Sequence, residues 1–201
     1  MTMTLPKPDT AGHSFDEERA VFSRLVDTAS DWDMVGFDAE VFGRNIVVSP
    51  WSKGSYLRPM KSLVRQLDRR APEGHEAGAE PFLFVFPERS GALGPDVWVA
   101  HEDAFDTDSN RLPGDALSLV AELTSPATRD RDLHDKVEVY GRSGVSVYVL
   151  FDMKEQMVTV YSDPSRKHGY QSQTSAEFGD PVHVPAPFDF ELDSSAFKRS
   201  A

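Results

Sequence analysis

Three side chains in the middle of the sequence have the types and spacing to do chemistry together. Asp96 opens a strand-like stretch just after Pro95, Glu122 lies inside the apolar run LSLVAEL, and Lys136 falls on the helical segment after Ser125-Pro126. An ionised carboxylate is costly to bury unless it binds a cation or is fully hydrogen-bonded, so two strand carboxylates beside a lysine point to a positive ion completing the site. Oxygen ligands without sulfur favour Mg2+ or Mn2+. An ion held by Asp96 and Glu122 would polarise a phosphodiester and activate water, while the lysine stabilises developing charge; that is nuclease chemistry. Each residue also has an ordinary reading: Asp96 as a turn cap, Glu122 at a wet strand end paired with Arg129 or Arg131, and Lys136 on a solvated helix face. Their combined order within one stretch favours the shared site.

The elements that must position these groups follow from hydrophobic periodicity. Residues Met1 to Gly12 carry little to bury and read as a frayed arm (1–12), which leaves 13–201 as a single domain. Behind a possible Ser14 cap, Phe15, Val21, Phe22, Leu25 and Val26 recur at helical spacing up to about Ser30. Gly36 to Pro50 reads as a β-hairpin punctuated by Gly43, and Leu57, Met60, Leu63, Val64 and Leu67 mark one face of a second helix between Tyr56 and Arg70. The segment RAPEGHEAGAE reads as a polar loop. Strands are expected at Phe82–Phe86, Asp96–His101 and Leu117–Thr124, the last nearly continuous in apolar residues, as suits a strand covered on both faces. One helix then runs to about Ser143, stopped by Gly144, and Val145–Phe151 and Met157–Tyr161 form two more strands. The proline-rich tail PVHVPAPFDFELD is expected along an edge.

Composition narrows the chemistry. Lys plus Arg total 21 against 33 Asp plus Glu, a formal net charge of -12, so the overall field repels polyanions; a nuclease would need a local basic groove or metal ions to screen its acids. The absence of cysteine removes disulfides, thiolate metal sites and Cys nucleophiles. His13, His75, His101, His134, His168 and His183 show no ligand spacing, which argues against zinc, and Ser125 lacks the G-x-S-x-G context of a serine hydrolase. Glycine-rich phosphate loops are absent. Arg129, Arg131 and Arg142 can form a phosphate-binding strip, although a solvated helix face explains them as well. No apolar run is long enough to span a bilayer, so the expectation is a cytoplasmic protein without membrane association.

The segments PDVWVA, LVAELTSPATRDRDLHDKVEVYGRSGVSVYVLFD and VTVY together resemble the Uma-two family of restriction-endonuclease-like proteins. The family's pattern of a PD pair, an acidic strand ending in Ser-Pro, a helix with Asp, Lys and Tyr, and a following strand corresponds to Pro95-Asp96, Glu122 with Ser125-Pro126 and Thr128, Asp132, Lys136 and Tyr140, Gly144-Val145, and Val147 to Asp152. The resemblance covers roughly residues 36 to 197. It implies an α/β (α+β) fold with a restriction-endonuclease-like PD-(D/E)XK core, a mixed sheet of about four central strands flanked by helices. It also implies a Mg2+-dependent (or Mn2+-dependent) endodeoxyribonuclease whose substrate is DNA.

In the standard motif the lysine lies two positions after the glutamate, where this chain has Thr124, so Lys136 takes that role from the following helix. The stretch Glu40-Val41-Phe42-Gly43-Arg44 matches a further acidic element and makes Glu40 a third acidic site residue, with a solvated hairpin carboxylate as the alternative. Many members carry a histidine at the start of the second helix; this chain has Gly54-Ser55-Tyr56, compatible with a degenerate, non-catalytic interaction module that keeps the fold. RNA or small nucleotides are a third substrate possibility. Tyr140 is expected to pack in the core, and Asp132 to sit in a first helical turn where an anion is favoured. Two-fold pairing is common where both duplex strands are cut, so a homodimer is expected.

Overall fold

The computed structural model describes residues 2–4 and 15–198. Its strands are β1 (Thr2–Thr4), β2 (Phe37–Phe42), β3 (Asn45–Pro50), β4 (His75–Gly78), β5 (Leu83–Phe86), β6 (Gly91–Leu93), β7 (Val97–His101), β8 (Arg111–Pro113), β9 (Leu117–Leu123), β10 (Val147–Asp152), β11 (Met157–Ser165), β12 (Gly169–Glu177), β13 (Val182–Val184) and β14 (Phe190–Leu192). Its helices are α1 (Phe15–Ser30), α2 (Leu57–Asp68), α3 (Arg129–Leu133) and α4 (Asp135–Ser143).

Two mixed six-stranded sheets stack on each other, in the orders β1-β3-β2-β6-β5-β8 and β12-β11-β10-β9-β7-β4, and β13 and β14 pair separately. The second sheet is covered on both faces, which is why LSLVAEL shows no polar alternation. One face carries Val97, Val99, Leu119, Ala121 and Val149 against Leu63 and Leu67 of α2 and the tail residues Val184, Phe188 and Leu192. The other carries Trp98, Val120, Tyr148 and Leu150 against Tyr140 of α4 and Phe84, Phe86 and Leu93 of the first sheet. The first sheet's far side packs on α1 through Phe22, Leu25, Val26, Val41 and Ile46. Among the described residues no helix is long and apolar enough to cross a membrane.

Several expectations change here. The central sheet has six strands where about four were expected. The loop RAPEGHEAGAE contains β4, and β12 was not anticipated at all; both are edge strands, β4 short and carrying only small or polar residues and β12 mostly exposed, which leaves little apolar alternation to read. The tail forms its own two-stranded sheet over the core of the second sheet. Of the proposed N-terminal arm, Thr2–Thr4 pairs with β3, and the remainder lies outside the described residues.

The helix expected after Pro126 breaks at His134, whose φ of -129° and ψ of -67° are not helical. The buried Tyr148 hydroxyl donates to the Asp132 carbonyl at 2.8 Å, the acceptor that an unbroken helix would offer to the Lys136 N–H. The break therefore lies between Asp132 and Lys136, and it sets where the second helical piece begins. Gly144 ends α4 as expected, at φ 90°, with Val145 N–H donating back to Tyr140 O at 3.1 Å.

Candidate active site

The two sheets meet where the chain steps from β6 to β7 through Gly94-Pro95-Asp96. Val97 pairs with Ala121 in the antiparallel β7–β9 ladder, so Asp96 and Glu122 flank neighbouring positions of that ladder. Strand alternation puts both on the face of Trp98 and Val120, turned toward the first sheet. Across the seam, β2 contributes Glu40, whose Oε1 accepts the Gly94 N–H at 3.0 Å. The broken helix supplies Lys136 from the first turn of α4.

The four side chains singled out from sequence, Asp96, Glu122, Lys136 and Glu40, line one cleft of about 750 Å³. Lys136 Nζ lies 2.9 Å from Glu40 Oε1, 2.9 Å from Glu122 Oε1 and 3.6 Å from Asp132 Oδ1. The Tyr140 hydroxyl donates to Glu122 Oε1 at 3.2 Å, so this tyrosine orients the acid as well as packing in the core. Asp96 Oδ2 accepts the Leu123 N–H at 2.7 Å, and its Oδ1 accepts from the Ser52 hydroxyl at 3.2 Å. The ordinary readings do not hold for two residues: Lys136 is buried, and Glu122 pairs with it while Arg129 is bound to Asp152 at 2.6 Å. The arginine strip does not form either, since Arg142 pairs with Glu138 and Arg131 donates to Ser49 Oγ at 2.7 Å.

Glu40, Asp96, Glu122 and Asp132 face one amine, and burial resists the charging of Asp96, Glu122 and Asp132. Burial pushes Asp96 up to about 6, against the lowering effects of the Leu123 N–H and Lys136. Glu122 is held well above the usual carboxylate range by burial, with Lys136 opposing and Asp132, Asp96 and Glu40 adding to the rise. Asp132 is raised by burial too. For Lys136 burial acts downward, but Glu122, Glu40 and Asp132 outweigh it and hold the ammonium well above the normal lysine value. The centre thus keeps Lys136 charged, and the four acids outnumber that amine by three.

Asp132 has more than the helix-terminal role expected of it. It does lie in the first turn of α3, yet its side chain is 1% exposed and its Oδ1 has no hydrogen-bond donor, so it belongs to the charged cluster. Asp38, two residues before Glu40 on the same strand face, was missed; that spacing was the available signal. Desolvation and the nearby Glu40 raise its carboxyl.

The family model described as "Uma2: Putative restriction endonuclease" matches residues 37–195. The chain belongs to the Uma2 family. The matched span contains all four acids and Lys136, and it runs from β2 into the tail. No curated protein matches this Uma2 chain. Its fold is similar to the crystal structure of a protein from Anabaena variabilis titled as a putative nuclease belonging to DUF820, with TM-score 0.64, 18% identity, and coverage of 86% of this chain and 96% of that one. At that identity the likeness concerns the fold, and it relates this two-sheet α/β architecture to a nuclease-family structure.

Proposed function

We propose that this protein hydrolyses DNA phosphodiester bonds with Mg2+ or Mn2+ at a PD-(D/E)XK-type centre formed by Asp96, Glu122 and Lys136, with Glu40 as an accessory acid. The observation that carries this reading is the Lys136 ammonium held 2.9 Å from both Glu40 and Glu122 in the cleft that Asp96 also lines.

The residues fit a hard divalent ion. Among the described residues no group of three or more His, Cys, Asp or Glu side chains is arranged to hold a metal ion by itself. Mg2+ does not require one, because it keeps several waters and commonly takes one or two protein carboxylates together with substrate phosphate. Asp96 and Glu122 would supply those carboxylates, and the surplus of acid over amine gives a second cation a favourable place. Such an ion supplies a water of lowered pKa and neutralises charge on the phosphoryl oxygens.

The chain's own groups do the rest. Lys136 offers a fixed positive charge to the phosphorane oxygens, and its raised pKa keeps that charge at any physiological pH. Glu40 and Asp132 hold the amine in place. Tyr140 fixes one oxygen of Glu122, while the Leu123 N–H and Ser52 fix Asp96, so that neither acid must reorganise during reaction.

The test is incubation of supercoiled plasmid, and of a single-stranded circle of the same sequence, with purified protein and Mg2+ or Mn2+. Cleavage is expected, and Lys136→Ala and Glu122→Ala should each abolish it; activity surviving both changes rejects the assignment. If there is no cleavage and no metal-dependent rise in Tm, the chain is a non-catalytic module instead.

A further inference from the structure

We infer that the substrate strand at this centre is single-stranded DNA, held outside the cleft by base stacking on Trp51 and by a basic stripe along α2. This deepens the nuclease reading and rests on it for the identity of the bond cut.

Two independent features adjoin the cleft. The first is aromatic. Trp51 and Phe37 line the cleft yet are 57% and 40% exposed, and Met34 and Val35, beside them at the open end of the β2–β3 hairpin, are 51% and 83% exposed. The Trp51 backbone N–H donates to Gly36 O at 2.9 Å, which fixes the main chain at this position. A tryptophan with over half its surface in water, on fixed backbone beside the proposed phosphodiester-cleaving centre, is the kind of platform on which unpaired bases stack. In a duplex the base faces are already stacked on each other and unavailable to it.

The second is electrostatic. Residues 53–70 hold Lys53, Arg58, Lys61, Arg65, Arg69 and Arg70 against the single acid Asp68, in a chain whose net charge is -12. Arg58, Lys61, Arg65 and Arg69 recur at steps of three and four, so they form one solvent-facing row, while Leu63 and Leu67 bury the opposite side of α2. Among the described residues none of these four cations is in an ion pair. None of the four lines the cleft itself, but Lys53, Tyr56 and Met60 from the same segment form part of its wall, and the row leads away from there for about 16 Å at the rise of an α-helix. One narrow row on an acidic body suits one phosphate backbone; a second strand would be carried toward surface of like charge.

The experiment is fluorescence anisotropy with labelled oligonucleotides in EDTA, so that no bond is cut. A single strand should bind at least tenfold more tightly than a duplex of the same sequence. Trp51→Ala should weaken single-strand binding by about tenfold, and Trp51→Phe should restore most of it. Replacing Arg58, Lys61 and Arg65 together by Gln, which preserves helix propensity, should lower the slope of log affinity against log salt by about 2. Equal or tighter duplex binding overturns the inference, as does parental binding by both the Trp51→Ala and the triple variant, or tighter binding of an RNA strand of the same sequence. Light scattering on Trp51→Ala covers the remaining occupant: loss of a dimer with oligonucleotide affinity intact makes the patch a self-association face and ends the proposal. Tight single-strand binding without cleavage in Mg2+ overturns the nuclease reading alone, whereas plasmid cleavage without single-strand preference overturns only this inference.

Discussion

Replacing Lys136 by Ala tests the charge balance of the centre directly. In the parent, one buried ammonium faces Glu40, Glu122 and Asp132 at 2.9, 2.9 and 3.6 Å. Removing one partner of a buried ion pair costs roughly 3–5 kcal/mol, because the other is left uncompensated. Against a total stability of about 5–15 kcal/mol for an ordinary domain, that is a large fraction, and it corresponds to a fall in Tm of roughly 6–20 °C. The loss should depend on pH. In the parent the folded-state pKa of Lys136 lies above its unfolded value, so its contribution is fully present across pH 5–8 and disappears only as pH rises through the folded pKa. In the variant the raised carboxyls of Glu122 and Asp132 lose the amine that favoured their charged forms. They can stay protonated near pH 5 at little cost, whereas deprotonation is favoured at pH 8 in the unfolded chain alone. Metal-free urea denaturation at pH 5 and pH 8 should therefore show the larger loss at pH 8. Glu122→Gln, which keeps the shape and removes one negative charge, should cost far less at pH 8 and should soften the effect of Lys136→Ala in a double-mutant cycle. A Lys136→Ala loss below about 1 kcal/mol at pH 8, or one equal at the two pH values, refutes the charge-balance argument.

Other consequences concern pH and packing. Because Asp96 titrates near 6 in the folded state, above its unfolded value, its contribution to metal-free stability is fully present below about pH 4 and is lost as pH rises through about 6; Asp96→Asn should remove that component from a Tm-versus-pH profile. Mg2+ affinity should rise over the same window as the carboxyl gives up its proton, which calorimetric titrations at pH 5 and pH 7.5 can measure. Tyr148→Phe leaves the buried Asp132 carbonyl without its hydroxyl donor and should cost about 1–3 kcal/mol in urea denaturation. Gly141→Ala places a Cβ 2.8 Å from the Tyr170 backbone nitrogen and 3.1 Å from Gly169 Cα; with backbone on that side unable to yield easily, a loss of roughly 1–3 kcal/mol is expected.

What the sequence made legible follows from where burial is strong. Leu63 and Leu67 repeat at helical spacing because only one side of α2 is covered, and the Leu117–Leu123 run is continuous because β9 is covered on both. Glu122 stood out as the acid inside that run. The edge strands β4 and β12 left no such trace, since pairing at a sheet margin relies on backbone hydrogen bonds that any side chain permits. The break at His134 was equally hidden, because its cause is the Tyr148 hydroxyl, fourteen residues further along the chain and on another element. Asp132 was read from its place in a helix turn, which is a local property, whereas its burial against Lys136 depends on how α3 and α4 are bent.

That bend links fold to chemistry. A straight helix through residues 129–143 would use the Asp132 carbonyl to bond the Lys136 N–H and would bring both residues onto one face with fixed spacing. With that carbonyl given to Tyr148, α4 starts afresh at Asp135, and the Lys136 amine reaches Glu40 on one sheet and Glu122 on the other. The same amine is thus the internal counter-ion that lets three acids be buried at the seam. If those acids release their hold on it when a divalent cation and a phosphodiester enter, the lysine becomes available to the substrate without moving far, and stability and reactivity draw on one charge. Arg at position 136 separates the two roles: Lys136→Arg keeps the cation, so metal-free stability should recover relative to Lys136→Ala. Its larger planar head cannot occupy the same point between Glu40 and Glu122, so cleavage should stay low. Full cleavage by Lys136→Arg would show that charge alone, and not the placement imposed by the bend, is what the centre requires.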